Sequence, residues 1–278
     1  MTVIFSQHLV AWHLDRLRQV EYRIACGHEK RLEGRAGMHH PNLAVKVKLV
    51  FRRENTQIEP MEIIAAYTDR EITLNAAHPA AQWRNASPIT FCHDWQGNRP
   101  DLARQTEVRI LWSKPVLYLR FECRYRDLHV FEDSAPNGRR DQLWDRDVVE
   151  AFLQPDPART GHYREFEVSP NGMWIDLDIF PDGRADLNSG LQRSVSLDAK
   201  SQAWAAELAI PMSALTENFN PASVWSANFY RVEGTEEPRV YLAWQPTHTA
   251  KPNFHVPAAF GSLRFASPSA AAAIRKFE

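Results

Sequence analysis

Clean two-residue alternation and dense turn punctuation predict an all-β chain, an antiparallel β-sandwich of jelly-roll or immunoglobulin-like type with about ten strands. In LYLRFECRY (117–125), Leu117, Leu119, Phe121 and Cys123 point one way and Tyr118, Arg120, Glu122 and Arg124 the other. That period of two is the mark of a half-buried strand. Pro136-Asn137-Gly138, Pro155-Asp156-Pro157, Pro170-Asn171-Gly172, Pro181-Asp182-Gly183, Pro221 and Gly234 break the apolar runs into short pieces. After Asp69, helical spacing is confined to a turn near Met212–Leu215 and an alanine-rich tail beyond Pro268.

Taken in order, the chain begins with an atypical extension. Residues 1–60 hold ten Lys/Arg, six Asp/Glu and five of the eleven histidines, a formal +4, whereas 61–278 carry 23 basic and 28 acidic groups, a formal −5. A helix after Ser6 (Leu9, Val10, Leu14, Leu17, Val20, Ile24) and an alternating run Val45-Lys46-Val47-Lys48-Leu49 are its only patterned parts. The extension reads more simply as codons upstream of a true start at Met61 than as a basic partner-binding arm. The expected organisation is an extension over 1–64, one domain over 65–266 and a tail over 267–278. Strands are expected at 107–112, 117–125, 147–153, 163–169, 173–180, 193–197, 203–210, 223–232, 239–244 and 260–265.

Composition excludes several function classes. The 278 residues are 44% hydrophobic and 24% charged with a net charge of −1, so neither nucleic acid nor an anionic membrane is held by bulk charge. Cys26, Cys92 and Cys123 form no CxxC pair, which suggests neither a disulfide framework nor a cysteine zinc site. No apolar run reaches the roughly 20 residues of a membrane span, and the start lacks a signal-peptide pattern, so a cytoplasmic location is the default expectation.

YREFEVSPNGMWIDLDIF (163–180) reads as a hairpin. A two-residue Asn171-Gly172 loop pairs Val168 with Ile175, Glu167 with Asp176, Phe166 with Leu177 and Glu165 with Asp178. Glu165, Glu167, Asp176, Asp178 and the Trp174 ring then share one polar face, with Phe166, Val168, Ile175, Leu177 and Ile179 on the other. Facing carboxylates repel. Two readings stand: a solvated face balanced by Arg120 and Arg124, or a site in which a cation or a polyhydroxyl ligand satisfies acceptor-only oxygens.

RRDQLWDRDVVEAFLQP (139–155) runs from a polar loop into a strand. Glu150 falls on the same face as Val148 and Phe152, where an isolated charge is costly, so it is either paired or directed into a site. Trp144 lies in the polar loop just before and can serve as a stacking platform; Trp112, Trp204 and Trp225 fall on core faces.

The ordered set EVRILW (107–112), LYLRF (117–121), LWDRDVVEAFLQP (143–155), YREFEVSPNG-W-D (163–176), WAAELAIP (204–211), NFYRVE (228–233), YLAWQP (241–246) and FHVPAAFGSLRF (254–265) resembles the family 9 carbohydrate-binding modules, β-sandwiches of the wider DOMON-like group. The resemblance covers roughly 70–266. It implies non-catalytic polysaccharide or oligosaccharide binding, of the kind that accompanies carbohydrate breakdown, with a sugar held between two aromatic rings. Trp144 matches the first ring, Phe254 falls at the second, and Glu150 matches a carboxylate that bonds the sugar. Two departures bear on specificity: sugar binders carry Trp where this chain has Phe254, and some have a ligand-contacting Arg where it has Glu167. Trp174, Asn253 and His255 complete the expected ligand set. The resemblance also implies structural calcium, for which Asp176, Asp178 and Asp182 are the expected ligands, although they lack EF-hand spacing.

Three alternatives remain. Glu150 with Glu165 or Glu167 offers the carboxyl pair of a glycoside hydrolase. Some DOMON-like relatives carry haem, but Met173, His162, His248 and His255 show no convergence, so no haem is expected. A sandwich interaction module that has lost sugar binding is the third.

Overall fold

The fold is seen in a computed structural model, described here for residues 61–135 and 138–268. The expected helix after Ser6, the run at Val45–Leu49, Pro136-Asn137 and the alanine-rich tail after Pro268 lie outside the described residues. The strands are β1 (Glu62–Tyr67), β2 (Ile89–Phe91), β3 (Thr106–Trp112), β4 (Val116–Arg124), β5 (Val148–Gln154), β6 (Tyr163–Val168), β7 (Trp174–Phe180), β8 (Gly183–Asp186), β9 (Gln192–Asp198), β10 (Ala203–Pro211), β11 (Trp225–Glu233), β12 (Val240–Ala243) and β13 (Gly261–Phe265). One helical turn, α1 (Met212–Leu215), stands where the sequence places it.

Two layers result. One runs β3-β4-β10-β9 with β2 beside β3; the other runs β8-β7-β6-β5-β11, with β12 and β13 both on β11. Alternation fills the space between them: Leu119 on β4 pairs with Ile110 and Leu208, and all three turn inward toward Val149, Phe166 and Phe229 of the opposite layer. These residues are essentially inaccessible, as are Trp112, Trp204 and Trp225.

The antiparallel expectation needs amendment at β1. Its first half pairs parallel with β13 (Ile63 beside Leu263) and its last two residues pair parallel with β3 (Ala66 beside Leu111), so β1 passes from one layer to the other. Parallel pairing needs a long connection, and residues 68–105 supply it on the β3 side. That segment covers the outer face of its layer, where Ile72, Trp83 and Ala86 pack on Leu111 and Tyr118.

The hairpin register also differs from expectation. Val168 pairs with Trp174, Glu167 with Ile175, Phe166 with Asp176 and Glu165 with Leu177. The loop has three residues, Pro170-Asn171-Gly172, closed by Ser169 and Met173, with Gly172 at φ +84°. This is a turn followed by a glycine bulge, and the additional loop residue moves β7 by one position. A one-residue slip exchanges faces. Asp176, Asp178 and Trp174 therefore lie on the face opposite to Glu165 and Glu167.

Nor do Arg120 and Arg124 balance those carboxylates. Arg120 belongs to the other layer, where its Nη1 donates to Glu207 at 2.7 Å and its Nε to Glu122 at 2.8 Å. Arg124 closes β4, with its carbonyl accepting from Arg231.

Candidate functional site

The outer face of the β8-β7-β6-β5-β11 layer carries a second apolar cluster, formed by Val148, Phe152, Tyr163, Ile175, Leu177, Tyr230 and Val232 and covered by Leu143, Phe254 and Phe260 from loops. Into this cluster the strands insert three carboxylates. Glu150 on β5 stands directly opposite Glu167 on β6, with Tyr230 of β11 on its other side, and Glu165 lies two residues along β6. All three are at most 3% exposed. One oxygen from each falls within 4.8 Å of the others.

Above them is a cavity of about 270 Å³ lined by Trp144, Glu150, Glu165, Arg184, Val232, Arg239, Tyr241, Pro252, Asn253, Phe254 and His255. Its volume lies near the lower bound for small-molecule sites. Trp144 comes from a 3-10 turn, Leu143–Asp145, whose Leu143 is fully buried and whose Trp144 carbonyl accepts from Arg239 at 2.8 Å. Phe254 is anchored at both its backbone and its ring. Tyr230 Oη donates to the Phe254 carbonyl at 3.0 Å, and the two rings stack at 4.1 Å and 10°. Asn228 fixes Tyr230 in turn, its Nδ2 lying 2.7 Å from the hydroxyl. On either side of Phe254, Asn253 and His255 are exposed; Asn253 Oδ1 accepts from the His255 amide, and His255 Nδ1 shares a hydrogen with Tyr163 Oη at 2.6 Å.

Burial raises the Glu150 and Glu167 carboxyls well above the usual carboxylate range. Glu165 adds to the repulsion at both, and Arg239 partly offsets it at Glu150. The Tyr230 hydroxyl is likewise pushed up, by burial first and then by Glu150. As ionised carboxylates, both Glu167 oxygens and Glu165 Oε2 are buried without a donor, and Glu167 lies against the Glu165 carboxyl itself. A site so built offers hydrogen-bond acceptors on its floor and aromatic surface on its walls.

Of the expected ligand residues, Trp144, Glu150, Phe254, Asn253 and His255 all line this cavity, although they come from loops and strands far apart in sequence. Glu167 lies beneath, against Glu150 and Glu165. Trp174 does not join them: the one-residue register change turns it to the inner face, where Arg193 lies over its ring at 5.1 Å. Each of the two expected platforms already has company, Tyr230 on Phe254 and the Arg184 guanidinium 4.7 Å from the Trp144 ring.

The aspartates expected to bind calcium are not gathered by the fold and do not fit a shared ion. Asp176 is buried and accepts from the Ser189 amide at 2.7 Å. Asp178 pairs with Arg164 at 2.5 Å and with His162 Nε2 at 2.8 Å, so its charge is already met, while Asp182 is exposed. Among the described residues, the acidic triad that the fold assembles is Glu150, Glu165 and Glu167.

Sequence reading missed Arg184, Arg239 and Tyr241 as site residues. Arg184 sits in β8, whose residues are all exposed and which offers no apolar alternation to find. Tyr241 and Arg239 share a face at two-residue spacing, a signal that was present in RVYLAW.

The sequence model for carbohydrate-binding family 9 matches residues 92–265, well over half of the chain. The chain belongs to carbohydrate-binding family 9. The family 9 match spans β3 to β13 and so includes every strand that contributes to the cavity. A curated protein of Arthroderma benhamiae, named "Extracellular protein", is 25% identical over 178 residues, covering 58% of this chain and 78% of that one. Among solved structures, a Bacteroides uniformis protein superposes with a TM-score of 0.59 at 17% identity, over 75% of this chain and all of its own. A family 9 module from Caldicellulosiruptor kristjanssonii, solved in complex with cellotriose, gives 0.54 at 17% identity over 76% of this chain and 97% of its own. These likenesses establish the β-sandwich fold. No described helix is long and apolar enough to cross a membrane.

Proposed function

We propose that this family 9 chain binds carbohydrate without turning it over, in the cavity between Trp144, Tyr241 and Phe254. The observation that carries the reading is the coincidence, in one 270 Å³ cavity, of aromatic walls and a carboxylate floor. Sugar rings have apolar faces that pack on aromatic surface and hydroxyls that donate to acceptors. Glu150, opening to the cavity, accepts from a hydroxyl. Asn253 and His255, exposed at the rim, contact the outer part of the ligand. Phe254 supplies less stacking area than the Trp of known sugar binders, so affinity is expected to be modest.

Cellotriose, the ligand of the Caldicellulosiruptor module, is the first sugar to test. The protein is run through gels containing soluble β-glucans, beside Trp144→Ala. Retardation that the variant abolishes supports binding in this cavity. Equal migration with and without glucan, across a panel of polysaccharides, favours an interaction module that has lost sugar binding. Release of reducing ends from the same glucans would replace binding with hydrolysis by the carboxyl cluster.

A further inference from the structure

We propose that Glu150, Glu165 and Glu167 form a calcium site in the floor of the cavity, with open coordination positions that ligand hydroxyls complete. Three observations carry it. One oxygen from each carboxylate lies within 4.8 Å of the other two. Calcium takes oxygens at about 2.3–2.6 Å, so two oxygens on one ion lie up to about 5 Å apart, and the three carboxylates fall inside that reach. The donor set contains neither imidazole nor thiolate and therefore suits a hard cation.

The second observation is independent of the clustering. Glu167 is fully buried, and as ionised carboxylates neither its oxygens nor Glu165 Oε2 meet a donor; the group against Glu167 is the Glu165 carboxyl itself. Buried carboxylate oxygens are costly unless something satisfies them. The nearby arginines are engaged elsewhere: Arg239 by the Trp144 carbonyl, Tyr241 Oη and Glu237, and Arg184 by Asp141.

The third is access. Glu150 and Glu165 line the cavity while Glu167 lies behind them. An ion held by all three thus has protein on one side and the cavity on the other. Calcium takes six to eight oxygens, so monodentate binding by three carboxylates leaves positions for water or for vicinal hydroxyls. This site is separate from Asp176 and Asp178, which lie on the opposite face of the hairpin, and from Asp182, which is exposed in the turn after β7. The cation site stands on the geometry alone; the part played by hydroxyls rests on the carbohydrate reading above.

The test uses the full chain stripped of metal and titrated with Tb³⁺, excited through tryptophan, since Trp144 lines the same cavity. The expected result is saturable luminescence, displaced by Ca²⁺ and lost in Glu167→Gln while far-UV circular dichroism is unchanged. Glu165→Gln serves the same purpose if Glu167→Gln fails to fold. Absence of saturable luminescence, or its survival in a folded variant, overturns the site.

A second arm titrates cellotriose in EDTA and in Ca²⁺. Weakening in EDTA by about tenfold or more is expected. Equal affinity in both overturns the bridging role and leaves sugar binding intact. Tb³⁺ binding without binding of any sugar overturns the carbohydrate reading and leaves the cation site.

Discussion

Glu150 and Glu167 face each other across β5 and β6 as a directly opposed pair, both buried, yet only Glu150 opens to the cavity. Of the two, Glu150 is therefore the one placed to meet a ligand in the cavity directly. Loss of a buried hydrogen-bonding carboxyl costs about 0.5–1.5 kcal/mol, so Glu150→Ala is expected to weaken cellotriose binding by about twofold to tenfold, measured calorimetrically. Thermal unfolding should change far less, because the truncated side chain borders an existing cavity.

Glu167 governs a pH dependence. Its carboxyl is held well above the usual range by burial, then by Glu150 and Glu165. In the unfolded chain it ionises near about pH 4.3. The folded state thus retains a proton that the unfolded state has lost, and stability falls as pH rises from about 4.3 toward the raised folded value. In EDTA, the Tm of the wild type should decline relative to Glu167→Gln across that window, with a constant difference below it. A difference that stays flat from pH 4 to 9 would contradict the raised carboxyl.

Arg120 and Glu207 test the independence of the two layers. Glu207 is fully buried, bonded to Arg120 at 2.7 Å, and accepts from the Asn75 amide at 2.8 Å. Removing one partner of a buried pair costs about 3–5 kcal/mol. Arg120→Ala should lower denaturant stability by about that amount and leave cellotriose affinity unchanged under native conditions, because this pair lies on the layer opposite the cavity.

Two glycines separate backbone strain from crowding. Gly172 has φ +84° with open space around its Cα, so Gly172→Ala should cost about 1–2 kcal/mol through conformation alone. Gly261 has an ordinary φ, but a Cβ there would come within 2.6 Å of both the Met61 carbonyl and the Trp244 ring. Gly261→Ala should therefore cost more than Gly172→Ala in urea unfolding, because backbone and indole must both move.

Much of the sandwich was legible because one-sided burial imposes alternation. β4 buries Leu117, Leu119, Phe121 and Cys123 inward, as its pattern required. β1, β2 and β8 escaped for physical reasons: β2 has three residues, β8 is wholly exposed, and β1 makes long-range parallel pairs that leave no local turn signal. The hairpin was legible as a hairpin but not in register. Polarity favoured segregating the acids from the apolar residues, whereas the glycine bulge at Gly172 mixed them and placed Glu165 and Glu167 among Tyr163, Ile175 and Leu177. Acids tolerated on an apolar face were the signal for the site, and Glu150, beside Val148 and Phe152, already displayed it. Arg184 reaches the cavity through tertiary placement, which no local pattern encodes.

The most direct measurement is calorimetric titration of cellotriose and a panel of mono- and oligosaccharides into the full chain and into Trp144→Ala. Saturable heat in the wild type, abolished in a variant that still unfolds cooperatively, is the predicted result. A folded wild type that takes up no sugar in the panel, with and without calcium, would contradict carbohydrate binding in this cavity and leave the chain as a family 9 sandwich with another partner.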